Sequence, residues 1–288
     1  MEKMTFDLHL TPIDVKYFAP RPDEYLDGGL PHCKKCKGAR YTAIQGDNGE
    51  IHLFRTLCNC QKVANDKIRA EEERQSELAF FKWQQGKAGV PNRYFDASLV
   101  NTIIDKTQGV FISCKNYIKN ARLCFEQNLG LYFYGSNSSG KTYLTVCLCN
   151  ELIKLGYKCY FTSIAQEIST IQKAFGSGED KLAGIISDMQ YYDFVFFDDI
   201  GKESIGDRKS AYNSRIMYEI INARYNAQKP TIFSSNYSLN DLIAVLGIDR
   251  ATVERITEMS VKTIKLEDKN YRKEIRAQKQ DFLKKIGI

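Results

Sequence analysis

Residues 135–142 read GSNSSGKT: one glycine, four residues, then Gly140, Lys141 and Thr142. This is the spacing of a phosphate-binding P-loop, and each residue type has a physical reason to be there. Glycines let the backbone N–H groups of Gly135, Ser136, Asn137, Ser138, Ser139 and Gly140 curl around a β-phosphate. Lys141 can reach the β- and γ-oxygens, and the Thr142 hydroxyl can ligate Mg²⁺. The apolar run LYFY before the loop and the helical periodicity of KTYLTVCLCNELIKLG after it supply the strand, loop and helix the motif needs. The sequence therefore predicts nucleotide binding.

About sixty residues on, FVFFDDI places Asp198 and Asp199 at the end of an apolar strand. One carboxylate can hold the Mg²⁺ shell while the other polarises an attacking water, provided the strand end lies beside the P-loop. A further strand, PTIFSSN, ends in Ser235 and Asn236, where an amide could orient that water or touch the γ-phosphate. Arg250 and Arg255 fall in the helical stretch DRATVERI and Arg272 in KNYRKEI, beyond the strand VKTIKLE. Arginines supplied in cis or in trans stabilise charge on a transferring phosphoryl group.

A second chemistry sits near the start of the sequence. Cys33-x-x-Cys36 and Cys58-x-Cys60 flank YTAIQGDNGEIHLFRT, which reads as a hairpin turning at GDNG. Two cysteine knuckles from facing turns make a zinc ribbon, with four thiolates completing a closed structural site. The second pair departs from the usual C-x-x-C, and His32 and His52 are reserve ligands. Cys114, Cys124, Cys147, Cys149 and Cys159 are scattered through apolar segments, where a free thiol behaves as a small hydrophobe.

Behind these sites stand the elements that must position them. With 288 residues, 43% of them hydrophobic, the chain has room for an ordinary domain and a smaller one. Strands and helices alternate from Val90 onward: LYFYG, the P-loop helix, KCYFTS, two helices across 164–190, DFVFFDD, a helix over 210–228, then PTIFSSN. That order predicts an α/β fold, a parallel sheet flanked by helices. The charged helical stretch KVANDKIRAEEERQSELAFFKWQQGKAG, ended by Gly86 and Gly89 before Pro91, reads as a linker. Expected boundaries are therefore 1–62 for the cysteine module, 63–88 for the linker and 89–288 for the nucleotide-binding domain. The formal charge is +6, and the last 28 residues hold nine Lys/Arg against four Asp/Glu. Such a tail is a solvated face or a phosphate-backbone contact. No apolar run nears the ~18 residues of a membrane span and no signal-peptide pattern opens the sequence, so a cytoplasmic protein with no membrane partner is expected.

The order P-loop, FFDDIG, FSSNYS, DRATVERI and NYRKEI resembles the AAA+ ATPases of the DnaC/DnaI type, loaders of bacterial replicative helicases, which are related to the IstB transposition helpers. GVPNRYFDASL is similar to the segment leading into that family's ATPase core, and the resemblance covers about 89–275. It implies ATP, Mg²⁺ and Zn²⁺ as cofactors, with Lys141 and Thr142 as Walker A, Asp198 and Asp199 as Walker B, and Asn236 as sensor 1. Arg255 would be the finger reaching a neighbouring subunit, with Arg250 its rival, and Arg272 the sensor 2 arginine in cis. Asp199 stands where many AAA+ proteins carry a longer Glu, which implies slow hydrolysis. The helices between KCYFTS and DFVFFDD would touch single-stranded DNA, with Lys173 and Lys181 as candidates. The implied partners are a replicative hexameric helicase, gripped by the cysteine module, single-stranded DNA, and further copies of the ATPase domain. The alternative function is an IstB-like ATPase helper of a DNA transposase. A metabolic P-loop kinase is disfavoured, because no acceptor-binding lid is evident.

Overall fold

The computed structural model describes residues 19–45, 47, 51–102, 104, 109–174, 180–202, 209–267 and 269–287. The chain divides into two compact units, Met1–Ala79 and Phe80–Ile288. In the first, Gly28 and Gly29 sit at φ 57° and 83°, the left-handed pair that a tight hairpin turn needs. They join β1 (Glu24–Asp27) to β2 (Leu30–Cys33), antiparallel. This hairpin is additional to the single one expected, and Asp27-Gly28-Gly29 is its sequence signal. The expected hairpin forms from β3 (Tyr41–Gln45) and β4 (Ile51–Arg55), with Tyr41 opposite Arg55. Its GDNG turn lies outside the described residues except for Asp47.

The charged stretch forms the helix Asn59–Lys87, which carries local ion pairs such as Arg69–Glu73 at 3.0 Å and Arg74–Glu71 at 2.8 Å. The helix passes Gly86 and closes at Gly89, in the left-handed region at φ 80°, with the Val90 N–H donating back to the Gln85 carbonyl at 3.0 Å. A side chain at Gly89 would also strike the Phe161 carbonyl. The helix starts at Asn59, so Cys60 lies in its first turn.

The second unit begins at Phe80, ahead of residue 89, because the last turns of that helix belong to its core. Phe81 packs there. Buried Gln85 donates from Nε2 to Asn150 Oδ1 at 2.9 Å and to the Phe95 carbonyl at 2.7 Å. The Phe161 N–H donates to the Ala88 carbonyl at 2.6 Å.

Five parallel strands carry this unit: β5 (Leu131–Tyr134), β6 (Cys159–Thr162), β7 (Phe194–Ile200), β8 (Thr231–Ser235) and β9 (Lys262–Lys265), in the order β6-β7-β8-β5-β9. The apolar runs of β5 and β7 follow from burial on both faces, whereas the edge strand β9, KTIK, buries only Ile264. Alternate residues divide between the two sides: Leu131, Phe133, Phe194, Phe196 and Ile232 face one core with the helices Lys141–Lys154 and Gly109–Lys119. Tyr132, Val195, Phe197 and Phe233 face the other, with Ile164–Lys173, Lys181–Tyr191, Lys209–Asn226 and Arg250–Met259. Among the described residues no helix is long and apolar enough to cross a membrane.

Arg224, fully buried, ties the N-terminal ends of β7 and β8 to the helices. Its Nε donates to Thr231 Oγ1 at 3.0 Å, while its two other nitrogens donate to the carbonyls of Met189, Tyr192, Asp193 and Pro230 at 2.7–2.8 Å. Burial pulls its pKa down to about 9, so it stays charged at neutral pH. Arg224→Met should cost about 3–5 kcal/mol in urea unfolding, because it removes the donor from five acceptors at once, three of them in buried hydrogen bonds. A loss below about 1 kcal/mol would mean that water replaces the guanidinium at no cost.

Candidate nucleotide-binding site

The site is built where β5 ends. Gly140, at φ 93°, caps the helix Lys141–Lys154 in a conformation only glycine takes without strain, and Ser138 at φ 70° completes the curl of the loop. The free N–H groups at that helix start form an anion cradle. Lys141, 5% exposed, donates from Nζ to the carbonyls of Gly135 at 3.0 Å and Ser136 at 2.8 Å. Burial pulls its pKa down, while the Asp199 and Asp198 carboxylates oppose that shift.

Asp198 meets the loop directly. Thr142 Oγ1 donates to it at 2.9 Å, and Ser234 Oγ, from the adjacent strand β8, donates to its other oxygen. Burial pushes the Asp198 carboxyl up, opposed by the Ser234 hydrogen bond. Thr142 and Asp198 are thus the pair that would hold Mg²⁺, which when bound would neutralise charge on the phosphates. The register of β7 against β8 shifts between Phe197 and Ile200, and Asp199 takes φ 58°, left-handed backbone rare for aspartate. Its N–H is held by Ser234 Oγ at 3.1 Å, and its carboxylate accepts from Lys202 Nζ at 2.6 Å. The bulge turns the second carboxylate out of the strand and into the cleft wall.

That cleft, about 700 Å³ including its open mouth, is lined by Asn137, Lys141, Thr142, Asp199, Asn236 and Arg272, with Tyr94, Ile104 and Tyr271 among its apolar walls. Arg272 arrives on the helix Tyr271–Lys285, whose start is tied to the P-loop by the Tyr271 N–H donating to the Ser138 carbonyl at 3.1 Å. Arg255 is placed elsewhere. Its Nε donates to Asn222 Oδ1 at 2.8 Å and its guanidinium lies over the rings of Tyr218 and Tyr225 at 4.6 and 5.6 Å. Arg250 is exposed and pairs with Glu254 at 3.1 Å. Lys173, the last residue of one helix, and Lys181, the first of the next, are both exposed. Ser235 Oγ donates to the Ile200 carbonyl at 2.7 Å and so supports the bulge. Ser234 and Lys202 are not among the expected site residues: FSSN and DDIGK contain them, but only the β7–β8 register shows that Ser234 meets both aspartates.

In the first unit, the thiols of Cys33, Cys36, Cys58 and Cys60 all lie within 4.8 Å of one another. Backbone N–H groups of Cys36 and Lys35 pull the Cys33 thiol down to about 6 against burial, and Arg40 donates to its Sγ at 3.3 Å. The neighbouring Cys58 pushes Cys60 up to about 12. Four close sulfurs with cationic support suit a divalent thiophilic metal, which removes the repulsion between thiolates. The reserve ligands stay outside the set: His32 Nδ1 contacts the Leu30 carbonyl at 3.0 Å between the rings of Tyr25 and Tyr41, and His52 is exposed on β4.

The part of the chain that holds this cleft is similar to known proteins. The profile of the family described as IstB-like ATP binding protein matches residues 115–279. The replicative helicase loader DnaC of Escherichia coli K12 is 24% identical over 124 residues, 43% of this chain and 49% of that protein, so the chain spans about half the length of that relative. The phage-like element PBSX protein XkdC of Bacillus subtilis is 32% identical over 253 residues, 84% of each chain. A crystal structure of the DnaC helicase loader superposes with a TM-score of 0.50 at 25% identity, covering 62% of this chain and all of that one.

Proposed function

This chain belongs to the IstB-like ATP binding proteins, and from that premise we propose that it is an ATP-controlled loader of a replicative, DnaB-type hexameric helicase onto single-stranded DNA. The reading is carried by the division of one catalytic set between two places. Lys141, Thr142, Asp198, Asp199, Asn236 and Arg272 gather at one cleft, whereas Arg255 lies outside it, half-buried on Tyr218 and Tyr225. A set divided this way is completed when a second copy brings its Arg255 to the cleft. ATP would bind in each cleft with Mg²⁺ on Thr142 and Asp198, Asp199 would polarise the attacking water, and Asn236 would orient it. Assembly on single-stranded DNA, with contacts from the region of Lys173 and Lys181, would make hydrolysis depend on the loaded state. Release of the helicase would follow hydrolysis. Hydrolysis should be slow, since the short Asp199 side chain is also held by Lys202.

Residues 1–62 would serve as the helicase-gripping module and the charged helix as the link, its last turns, from Phe80, joining the ATPase unit. The four-thiol cluster favours a loader, because the resemblance to the loaders includes such a module. The purified protein should hold about one Zn²⁺ per chain, and chelation should unfold residues 30–62 while leaving nucleotide binding intact, since a ribbon's folding energy comes largely from its metal. Zinc content unchanged in a Cys33→Ser/Cys60→Ser double variant would refute the ligand assignment.

A second reading, an ATPase helper of a DNA transposase, is favoured by the description of the matching family. Capture with immobilised replicative helicase and with immobilised transposase separates the two. A loader is retained by the helicase in the presence of ATP and not by the transposase. The reverse pattern would assign the helper role.

A further inference from the structure

Lys202 is a cation of the nucleotide cleft that no motif accounts for. It follows Asp199 by three residues and donates to Asp199 Oδ2 at 2.6 Å, with its own side chain 54% exposed and that of Asp199 28% exposed. Both residues border two hollows. One is the cleft shared with Asn137, Lys141 and Arg272; the other, about 540 Å³, runs between Gly89–Pro91 and the start of the helix Ile164–Lys173. The ammonium thus stands in the wall of the phosphate cleft while bound to the carboxylate assigned to the attacking water.

A partly exposed ion pair of this kind contributes little, so a stronger anion can displace it. The terminal phosphate of ATP is such an anion, since it carries more charge and several acceptor oxygens. The four-carbon lysine stem can turn between two nearby partners. ADP ends at the β-phosphate, within reach of the loop N–H groups and Lys141, and offers Lys202 nothing new. Resting on the nucleotide-site reading above, we propose that Lys202 is a γ-phosphate latch: ATP draws its ammonium from the Asp199 carboxylate to a γ-oxygen. That exchange selects ATP over ADP and frees Asp199 to polarise water. Lys202 is then a specificity-determining residue, and it explains how one side chain can restrain hydrolysis and report the triphosphate.

The mechanism gives the two partners opposite signs. Lys202→Met removes a contact to ATP, whereas Asp199→Asn removes the competitor for that contact. Equilibrium binding of ADP and of a non-hydrolysable ATP analogue, both with Mg²⁺ and the full chain, tests this. Lys202→Met should weaken the analogue about 5-fold and leave ADP unchanged. Asp199→Asn should tighten the analogue by a similar factor, again without moving ADP, and Lys202→Arg should keep the ATP preference. The double variant decides the cause, because relief of simple repulsion by Asp199 would persist without Lys202, whereas a gain through the latch vanishes. Unchanged ADP affinity also shows that each variant is folded. Nucleotide binding by the wild type with an analogue-to-ADP ratio unmoved by Lys202→Met overturns the latch alone, as does an Asp199→Asn gain that survives in the double variant. Binding of neither nucleotide by the wild type overturns the site reading and the latch together.

Discussion

Lys141→Ala removes nucleotide binding: the Kd for ATP rises more than 100-fold, past the range of an ordinary fluorescence titration. Lys141 is the buried cation of the loop, and its Nζ, held between the carbonyls of Gly135 and Ser136, already lies at the phosphate cradle. Hydrogen bonds to charged groups are worth about 1.5–3 kcal/mol each, and the β- and γ-phosphates offer at least two. Alanine also leaves the Asp198 and Asp199 carboxylates facing the triphosphate with less opposing charge. Asp199→Asn should behave differently, leaving ATP bound but unhydrolysed. Wild-type affinity in Lys141→Ala would show that the nucleotide does not use this loop, whereas normal turnover in Asp199→Asn would remove that carboxylate from catalysis.

The second large effect falls on an arginine that touches no part of its own cleft. Arg255→Ala should spare ATP binding by the isolated chain yet lower hydrolysis in the DNA-bound assembly by roughly 10³-fold, the scale of an arginine supplied in trans. Its stacking on Tyr218 and Tyr225 and its bond to Asn222 hold the guanidinium on the helix surface where a neighbour can meet it. Mixing resolves the geometry. Chains carrying Arg255→Ala keep an intact Asp199, and chains carrying Asp199→Asn keep an intact Arg255, so a mixed interface restores part of the activity. If that mixture stays inactive and Arg250→Ala complements in its place, the finger is the exposed Arg250. Arg272, tied to the P-loop through Tyr271, should weaken nucleotide affinity even in a single chain when replaced by alanine.

Features set by neighbours along the chain are legible in the amino-acid sequence. The P-loop, the apolar strand ending in two aspartates and the alternation of strands with helices each fit within a short window, and the sheet follows from them. The Cys-x-x-Cys and Cys-x-Cys pairs converge for a similar reason, since the β3–β4 hairpin between them returns the chain to its start. Contacts set by register are not legible in this way. Ser234 lies 36 residues from Asp198, and their meeting depends on the shift between Phe197 and Ile200, which apolar periodicity does not encode. Lys202 reads as one more surface lysine until the left-handed backbone of Asp199 turns its carboxylate toward it. The start of the second unit is masked by the charge of LAFFKWQQGKA: half-buried Phe81 and buried Gln85 and Ala88 hide among exposed Lys82, Trp83 and Lys87. The helix Gly109–Lys119 is not predicted from sequence although Phe111, Cys114 and Tyr117 recur at helical spacing, because it opens on glycine and carries β-branched Val110 and Ile112, all poor helix formers.

If ATP in this cleft controls delivery of a helicase to single-stranded DNA, as proposed, strand displacement from a circular single strand reads it out, because a circle offers a hexameric ring no free end. The replicative helicase of the same host, mixed with this protein and ATP, should displace an annealed oligonucleotide, while the helicase alone, or with the Lys141→Ala protein, should not. Equal displacement with and without the protein, or with Lys141→Ala in its place, would show that ATP in this cleft does not deliver the helicase.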